Sequence, residues 1–102
     1  MTNEEFAIEM ENSINRSNRV LIKKGKEYSG MFDRLENFKR AGAAQNILPE
    51  EALFAMAMKH IVSIADMTKH PTDFTLQQWH EKTGDLRNYT ILLEALLIDS
   101  AE

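Results

Sequence analysis

The sequence predicts an all-α protein, a bundle of three long helices and one short helix. Apolar residues recur at intervals of three and four over most of the chain, the spacing of one helix face. Thr2 and Thr75 stand where helix N-caps are expected, and Pro49 and Pro71 stand where helices begin or end. A length of 102 residues is enough for one hydrophobic core, so we expect a single domain over residues 1–102.

The first helix is expected to begin at Thr2, because Glu5 follows three residues later and completes a capping box. Gly25 and Gly30 weaken a helix and bracket a short polar segment, so we expect the chain to turn in this region. The apolar stripe of this helix is narrow and consists of Phe6, Met10, Ile14, Val20 and Leu21.

A short second helix is predicted over residues 31–41, because Gly42 stands where a glycine commonly ends a helix. The third helix is predicted to begin at Pro49, whose missing N–H suits the first helical position, and to end near Lys69. This helix is apolar on nearly every side, which is typical of a helix in the centre of a bundle or under another subunit.

The fourth helix is predicted from Thr75 to about Ser100. Gln78 completes a capping box with Thr75, and Phe74 and Trp79 can pack together across the helix start. The last turns are again apolar on more than one face. Two such helices in a small protein predict self-association, as a dimer or a tetramer.

Composition excludes several classes of protein and of site. The chain has no cysteine, which excludes disulfides, thiolate metal sites and cysteine nucleophiles. No apolar run approaches the roughly 18 residues that cross a membrane, and the acidic start is unlike a secretion signal. We therefore expect a cytoplasmic protein with no membrane partner.

Charge is unevenly distributed along the chain, whose net charge is −4. Residues 16–40 contain eight of the twelve lysines and arginines but only three acids, so the rest of the chain is strongly acidic. A basic segment within an acidic protein suits a small anionic ligand better than long duplex DNA. Nucleic acid is therefore not the expected partner.

The first candidate site is a polar cluster in the fourth helix, where Glu81, Asp85 and Asn88 interrupt an apolar stripe. Carboxylate oxygens are the ligands that Mg²⁺ prefers, and one or two carboxylates commonly hold it together with substrate phosphates. Gly84 removes one side chain from the edge of this cluster, which could admit a ligand or a neighbouring helix. The alternative is a set of acids paired with lysine or arginine.

Two further groups of polar residues are candidates. Lys59, Ser63 and Asp66 share one face of the third helix, where Asp66 could supply a carboxylate, although a solvent-facing surface is the simpler explanation. His60 beside them is expected to be a hydrogen-bonded histidine of the core boundary. The basic segment that contains Lys23, Lys26 and Arg34 could contact phosphate, or it could simply be a solvated turn. Asp33 and Asn37 in the same region are four residues apart, which is about one helical turn.

Three blocks of the sequence resemble small phage and prophage proteins that are similar to the MazG-like superfamily of all-α nucleoside triphosphate pyrophosphohydrolases. The blocks read Lys-Glu-Tyr … Asp-Arg-Leu-Glu-Asn-Phe, then Ala-x-x-x-Lys-His-x-x-Ser-Ile-x-Asp, then Glu-Lys-x-x-Asp-x-x-Asn-Tyr. They extend over about residues 20–97, and the last block is the most specific. A phage origin would mean that the cytoplasm is that of the host.

The resemblance implies a Mg²⁺-dependent nucleotide-binding bundle that hydrolyses a nucleoside triphosphate with water. It implies that Glu81 and Asp85 are catalytic metal ligands, with Glu27 or Asp66 as partners, and that Asn88, Lys23, Lys26 and Arg34 contact the nucleotide. The superfamily pairs a Glu-x-x-Glu motif with a Glu-x-x-Asp motif, whereas this chain has no Glu-x-x-Glu, and Glu81 and Asp85 are four residues apart. The alternative function is therefore a non-catalytic phage-type helical protein that assembles with itself or with a host partner.

Overall fold

The computed structural model of this chain describes residues 1–27 and 33–101. Four α-helices account for most of them, and a short 3₁₀ turn at Pro71–Asp73 leads into the last helix. No strand occurs in these two ranges, so the predicted all-α class and the count of three long helices and one short helix are confirmed. The helices are α1 (Asn3–Glu27), α2 (Glu36–Gln45), α3 (Pro49–Met67) and α4 (Leu76–Ala101).

The core lies where α4 packs against α3. Leu53 and Leu96 are its two fully buried large side chains, and Leu35 extends the cluster at the entrance to α2. The short helix α2 packs on α3, whereas α1 packs on the opposite partner, α4. Each of the outer helices thus depends on one long helix of the central pair.

The predicted helix starts agree with the structure. The backbone N–H of Glu5 donates to the Thr2 hydroxyl at 3.1 Å, which caps α1. At α4 the capping box is complete, because the Gln78 N–H donates to the Thr75 hydroxyl at 3.1 Å and the Thr75 N–H donates to the Gln78 side chain at 2.8 Å. The rings of Phe74 and Trp79 meet edge to face with centroids 6.1 Å apart.

The expectation that the chain turns between Gly25 and Gly30 is wrong for residues 25–27, where α1 continues to Glu27, and the rest of that segment, residues 28–30, lies outside the described residues. A Cβ at Gly25 would lie 3.6 Å from the Arg34 side chain, which is an ordinary van der Waals contact, so packing does not require a glycine at this position. Gly30 and Met31, which belonged to the predicted turn and helix start, lie outside the described residues.

The predicted end of the second helix is also wrong, because α2 begins at Glu36, runs through Gly42 and ends at Gln45. Asn46 takes the left-handed conformation (φ 57°) that we expected at the glycine. Gly42 has a different role: a Cβ there would lie 2.8 Å from the Ile47 carbonyl oxygen and 2.9 Å from the Pro49 nitrogen. The glycine is needed because the chain folds back onto α2, not because of an unusual φ.

An ion-pair network joins the entrance of α2 to the end of α4. The Lys39 ammonium pairs with Asp33 and, at 2.6 Å, with Asp99. Asp33 also accepts a hydrogen bond from the Leu35 backbone N–H at 2.9 Å. The hydrogen bond from Lys39, followed by that backbone bond, lowers the pKa of the Asp33 carboxyl, and the two acids raise the pKa of Lys39.

The wide apolar surface of α3 is only partly buried. Ala52, Leu53, Ala57 and Met67 are buried, whereas exposed apolar side chains recur every four residues along the outer face at Phe54, Met58 and Val62. No helix in the described ranges is long and apolar enough to cross a membrane.

Candidate ligand-binding clefts

The main cleft lies between the four helices and has a volume of about 460 Å³. Helix α1 contributes its last turns, α2 its first turns, and α3 and α4 their middle sections. A cleft of this size is within the range that encloses a small organic ligand. The polar side chains that line it are Lys24, Arg34, Asn37, Lys59, His60, Asp85 and Asn88.

The lining of the main cleft is positively charged. Lys24, Arg34 and Lys59 carry permanent positive charges, and Asp85 is the only acid among the lining residues in the described part of the chain. Neither lysine makes an ion pair with another described residue. The His60 Nδ1 lies 3.8 Å from the Asp85 carboxylate, so the acid faces the imidazole ring.

Aromatic and apolar side chains form the rest of the wall. The rings of His60 and Tyr89 have centroids 5.2 Å apart and are tilted by 38°. Phe38, Met56 and Leu92 complete the apolar surface. The cleft therefore combines three cations with a flat apolar surface, which suits an anion attached to a ring.

Asn88 lies at the boundary of two clefts. Its side chain is buried, with 7% of the residue exposed, and its Oδ1 has no hydrogen-bond partner among the described residues. It lines both the main cleft and a second cleft of about 290 Å³ between α1 and α4. A buried acceptor without a donor costs about 1–3 kcal/mol, so this position is a weak point in the packing.

Three arginines, Arg16, Arg19 and Arg87, line the second cleft. The Arg87 Nε donates to the Ser17 hydroxyl at 2.5 Å, and Ser17 is the one buried residue of α1. Arg16 pairs with Glu9 at 3.1 Å within the same helix. One further nitrogen of each guanidinium, Arg16 Nε and Arg87 Nη2, is buried without a partner among the described residues, so the seam between α1 and α4 is polar and incompletely satisfied.

The predicted carboxylates do not converge. Asp85 lines the first two clefts, whereas Glu81 lines the second cleft and a third one of about 410 Å³, which it shares with Ser63 and Asp66. Asp66 is mostly exposed and lies 4.0 Å from Lys69. Within residues 1–27 and 33–101 no group of three acids or histidines could hold a metal ion. The donor set therefore does not form a protein cage for Mg²⁺, and the predicted magnesium site stays a prediction.

The structure thus brings four of the predicted site residues into one cleft, namely Arg34, Asn37, Asp85 and Asn88. Lys23, Lys26 and Glu27 are exposed in the last turns of α1 and do not line the clefts described above. Asp33, a candidate third carboxylate, is paired with Lys39 instead.

Three residues of the main cleft were not predicted to be site residues. Lys24 could have been found, because it stands three and four residues after Leu21 and Val20, whose side chains also line the cleft. The sequence favours a solvent-facing lysine at Lys59 and a core-boundary histidine at His60. Lys59 is exposed, as expected, but both residues also line the cleft. Their neighbours in the cleft come from α2 and α4, and spacing within α3 cannot reveal them.

The chain matches no protein-family model, no curated protein and no solved structure. The resemblance to the MazG-like superfamily therefore stays a prediction. What the chain can do chemically has to be argued from the clefts themselves.

Proposed function

We propose that this protein binds a nucleotide in the main cleft, with the phosphates against Lys24, Arg34 and Lys59. The observation that carries the proposal is the convergence of these three cations, from three separate parts of the chain, around a cleft whose described lining contains a single acid. Charge-assisted hydrogen bonds from lysine and arginine to phosphate are shorter and about twice as strong as neutral ones. Lys24 and Lys59 are exposed and make no ion pair within the described part of the chain, so both are accessible to an anionic ligand.

The rest of the cleft suits the base and sugar of a nucleotide. The tilted pair of His60 and Tyr89, together with Phe38, offers flat surfaces on which a base can stack. The amides of Asn37 and Asn88 can donate to and accept from the edge of a base or a sugar hydroxyl. We propose that Asn88 Oδ1, which has no donor among the described residues, gains one through a small adjustment when a nucleotide binds.

The MazG-like resemblance extends the proposal to a reaction, the Mg²⁺-dependent hydrolysis of a nucleoside triphosphate to a monophosphate and pyrophosphate. Asp85 is the carboxylate of this chain that would contact an ion accompanying the phosphates, since it is the acid in the lining. Bound Mg²⁺ would neutralise part of the phosphate charge and would lower the pKa of a water molecule that it binds. Glu81 would act from the neighbouring cleft, which it shares with Asp85.

A ligand titration tests the binding proposal. Thermal shift and calorimetry with a panel of nucleoside triphosphates, with and without Mg²⁺, should reveal stabilisation of the parent protein that grows with ligand concentration. The double variant Arg34→Gln, Lys59→Gln should lose most of that stabilisation, whereas Lys69→Gln, an exposed lysine in the turn after α3, should keep it. No response of the parent to any nucleotide, or an equal response of both variants, would refute the proposal.

Asp85 allows binding and hydrolysis to be tested separately. Asp85→Asn should abolish hydrolysis in the presence of Mg²⁺ while it raises the affinity for the triphosphate without Mg²⁺, because a repulsive charge has been removed. A unit charge at 4 Å in water is worth ~1 kcal/mol, which corresponds to about fivefold in affinity. The readouts are pyrophosphate release and calorimetric Kd. Unchanged hydrolysis in Asp85→Asn and Glu81→Gln would remove both acids from the reaction.

A second candidate function is assembly, with a host partner or with another copy of the chain. The observation that favours it is the number of large apolar side chains that are 40% or more exposed, on α1, α3 and α4. Monomeric proteins seldom expose apolar surface in such continuous rows. We propose self-association, which a measurement of solution mass tests: a mass equal to the 11.7 kDa of one chain at all concentrations would contradict it.

A further inference from the structure

We infer that the outer face of α3 is the self-association surface, and that it packs antiparallel against the same face of a second copy. The surface is a row of six residues, which we call the α3 seam: Glu51, Ala55, Met58, Val62, Ala65 and Lys69. This inference rests on the proposed self-association and goes beyond it by naming the helix, the direction and the register. It is independent of the nucleotide proposal, because no residue of the α3 seam lines the three clefts described above.

The spacing of the α3 seam is that of a helix that packs along another helix. Its six residues are separated alternately by four and by three positions, which is the heptad spacing of a coiled coil. Because successive residues of an α-helix are about 100° apart, all six fall within an arc of about 80°. Lys69 continues the row beyond the end of α3, since Thr68 keeps helical dihedral angles (φ −65°, ψ −19°).

The α3 seam is uncovered. All six of its residues are exposed, and Phe54 at its margin is 50% exposed. The buried residues Leu53 and Met67 lie on the opposite side of α3, about 160° from the centre of the seam. The packing of α3 on α2 and α4 therefore leaves a continuous apolar row in water, with charge only at its two ends.

Helix α1 exposes several large apolar side chains as well, but they do not form such a row. Phe6 and Ile8 are two positions apart, which places them on nearly opposite sides of α1. Val20 lines both the main and the second cleft, so it belongs to the side of α1 that faces α4. The apolar surface of α1 is thus divided around the helix, whereas that of α3 is concentrated on one side.

The α3 seam is symmetric about the level of residue 60. An antiparallel second copy, with its two-fold axis at that level, sets each residue beside the residue that is equally far from the axis on the other side. The alanines bring little bulk to the interface, so the two helices can approach closely. The resulting pairs are Met58 with Val62, Ala55 with Ala65, and Glu51 with Lys69.

The charges at the two ends identify the occupant as a second, antiparallel copy. Glu51 makes no ion pair within the described part of the chain, and its Oε1 accepts a hydrogen bond from the Leu48 N–H at 3.3 Å. The Lys69 side chain is 73% exposed, and its ammonium lies 4.0 Å from Asp66. An antiparallel copy brings Glu51 of each chain to Lys69 of the other, whereas a parallel copy opposes like charges at both ends.

Single cysteines test the direction and the register, because the chain has none of its own. Under mild oxidation, a mixture of Ala55→Cys with Ala65→Cys should form the mixed disulfide-linked dimer, since the two positions lie side by side across the interface. Each variant alone should form little, because its two copies are about 15 Å apart along the helices. Ala7→Cys, exposed on α1, gives the background rate. Linkage in the mixture at that background rate, or faster linkage of either variant with itself, would overturn the antiparallel arrangement.

Substitution by glutamate tests which helix carries the surface. Val62→Glu should weaken the dimer about tenfold or more, because an unpaired charge would be buried at the centre of the seam. Ile22→Glu makes the same kind of change at an exposed residue of α1 and should leave the association unchanged. Analytical ultracentrifugation measures the mass, and circular dichroism checks that both variants keep their helices. Undiminished association of Val62→Glu would overturn the role of α3 and leave self-association standing.

Charge reversal tests the ends of the seam. Lys69→Glu should weaken the dimer about fivefold, because exposed attractions become repulsions, and Lys69→Glu combined with Glu51→Lys should restore it. Lys23→Glu, the same change of charge on α1, is the control. A double variant that associates no better than Lys69→Glu would overturn the register. A monomer mass for the parent protein at all concentrations would overturn both this inference and the proposed self-association, and would leave the seam to a host partner.

Discussion

Asn88 is the residue whose burial is hardest to explain by packing. It lies on α4 between the main and the second cleft, in a position that is four residues before Leu92 and eight before the fully buried Leu96. An apolar residue would continue that stripe without cost, whereas the amide leaves Oδ1 without a donor among the described residues. Stability and ligand binding therefore make opposite demands on this one side chain.

Substitution Asn88→Leu separates the two demands. The unfolding free energy should rise by ~1 kcal/mol, because a buried acceptor without a partner among the described residues is removed while the branching and the number of side-chain heavy atoms are kept. The affinity for nucleotide should fall at least several-fold, since the base or sugar loses an amide partner. Urea unfolding and calorimetry provide the two readouts, and Asn15→Leu on the exposed part of α1 is the control. A loss of stability together with unchanged binding would mean that Asn88 is structural.

At the scale of elements, each outer helix is held to the central pair by a few polar or close contacts. Helix α2 is tied to α4 by Lys39, which holds Asp33 and Asp99, and to α3 by the tight return of the chain over Gly42. Helix α1 is tied to α4 through the polar seam around Ser17 and Arg87, which has buried nitrogens without partners among the described residues. We therefore expect α1 to be the first helix to separate from the bundle, because its contacts are few and incompletely satisfied.

Two glycine substitutions in helices should have opposite effects. Gly42→Ala should destabilise the protein by ~1–3 kcal/mol, because the added Cβ would meet backbone atoms of Ile47 and Pro49 at 2.8 and 2.9 Å. Gly84→Ala should stabilise it by up to ~1 kcal/mol, because its Cβ would meet only the flexible end of Arg87 at 3.5 Å and alanine favours a helix. Thermal and urea unfolding measure both. Equal effects at the two sites would contradict the close approach at Gly42.

The Lys39 network predicts a sensitivity of stability to acid. The hydrogen bond from Lys39 lowers the pKa of Asp33 from its ordinary value of 3.8. As the pH falls, the unfolded state therefore takes up a proton at this carboxyl before the folded state does. The stabilisation is therefore complete above the ordinary pKa and is lost as the pH falls through the lower pKa of the folded protein. The pKa of Lys39 is raised from its ordinary value of 10.5, so the stabilisation by its ion pairs is complete below that value and is lost as the pH rises above it.

The variant Lys39→Met tests whether the ion pair between Lys39 and Asp33 stabilises the fold. Its unfolding free energy should be lower than that of the parent near pH 7, and the difference should shrink as the pH falls below about 4, where the parent loses its own ion pair. Urea unfolding between pH 2 and pH 7 gives the measurement, and Arg40→Met, whose side chain is 74% exposed, is the control. A difference that is constant over this range would contradict the role of the pair.

For the whole molecule, the distribution of charge matters more than the net charge. Residues 16–40 are basic and supply two of the three cations of the main cleft, whereas the remainder of the chain is acidic. The basic residues are thus concentrated around a concave region between helices and in the second half of α1. Such a field draws in a small anion but cannot follow the backbone of a long polyanion.

Duplex DNA should therefore bind poorly while a nucleotide binds well. At about 150 mM salt we expect the protein not to retard a DNA duplex in a gel. The protein concentration should be one at which a nucleoside triphosphate is fully bound under the same conditions. Gel mobility shift and fluorescence anisotropy measure the duplex, and calorimetry measures the nucleotide under the same conditions. Tight duplex binding with a steep dependence on salt would contradict the cleft and favour an extended basic surface.

The sequence by itself determined the features that depend on neighbours along the chain. The helix starts at Thr2, Pro49 and Thr75 follow from local hydrogen bonds and from the shape of proline, and these act within one turn of helix. The all-α class follows from the periodicity of the apolar residues. The candidate residues Asp85 and Asn88 stood out for the same reason, as polar side chains on an apolar stripe.

Only the tertiary structure decided which of those residues share a cleft. Lys24 and Lys59 meet Asp85 because three helices converge there, and spacing within one helix carries no information about residues tens of positions away. The same holds for Gly42, whose role comes from the returning chain, and for Asp33, which Lys39 holds away from the cleft. Packing between helices sets these distances, so they could not be predicted from local pattern alone.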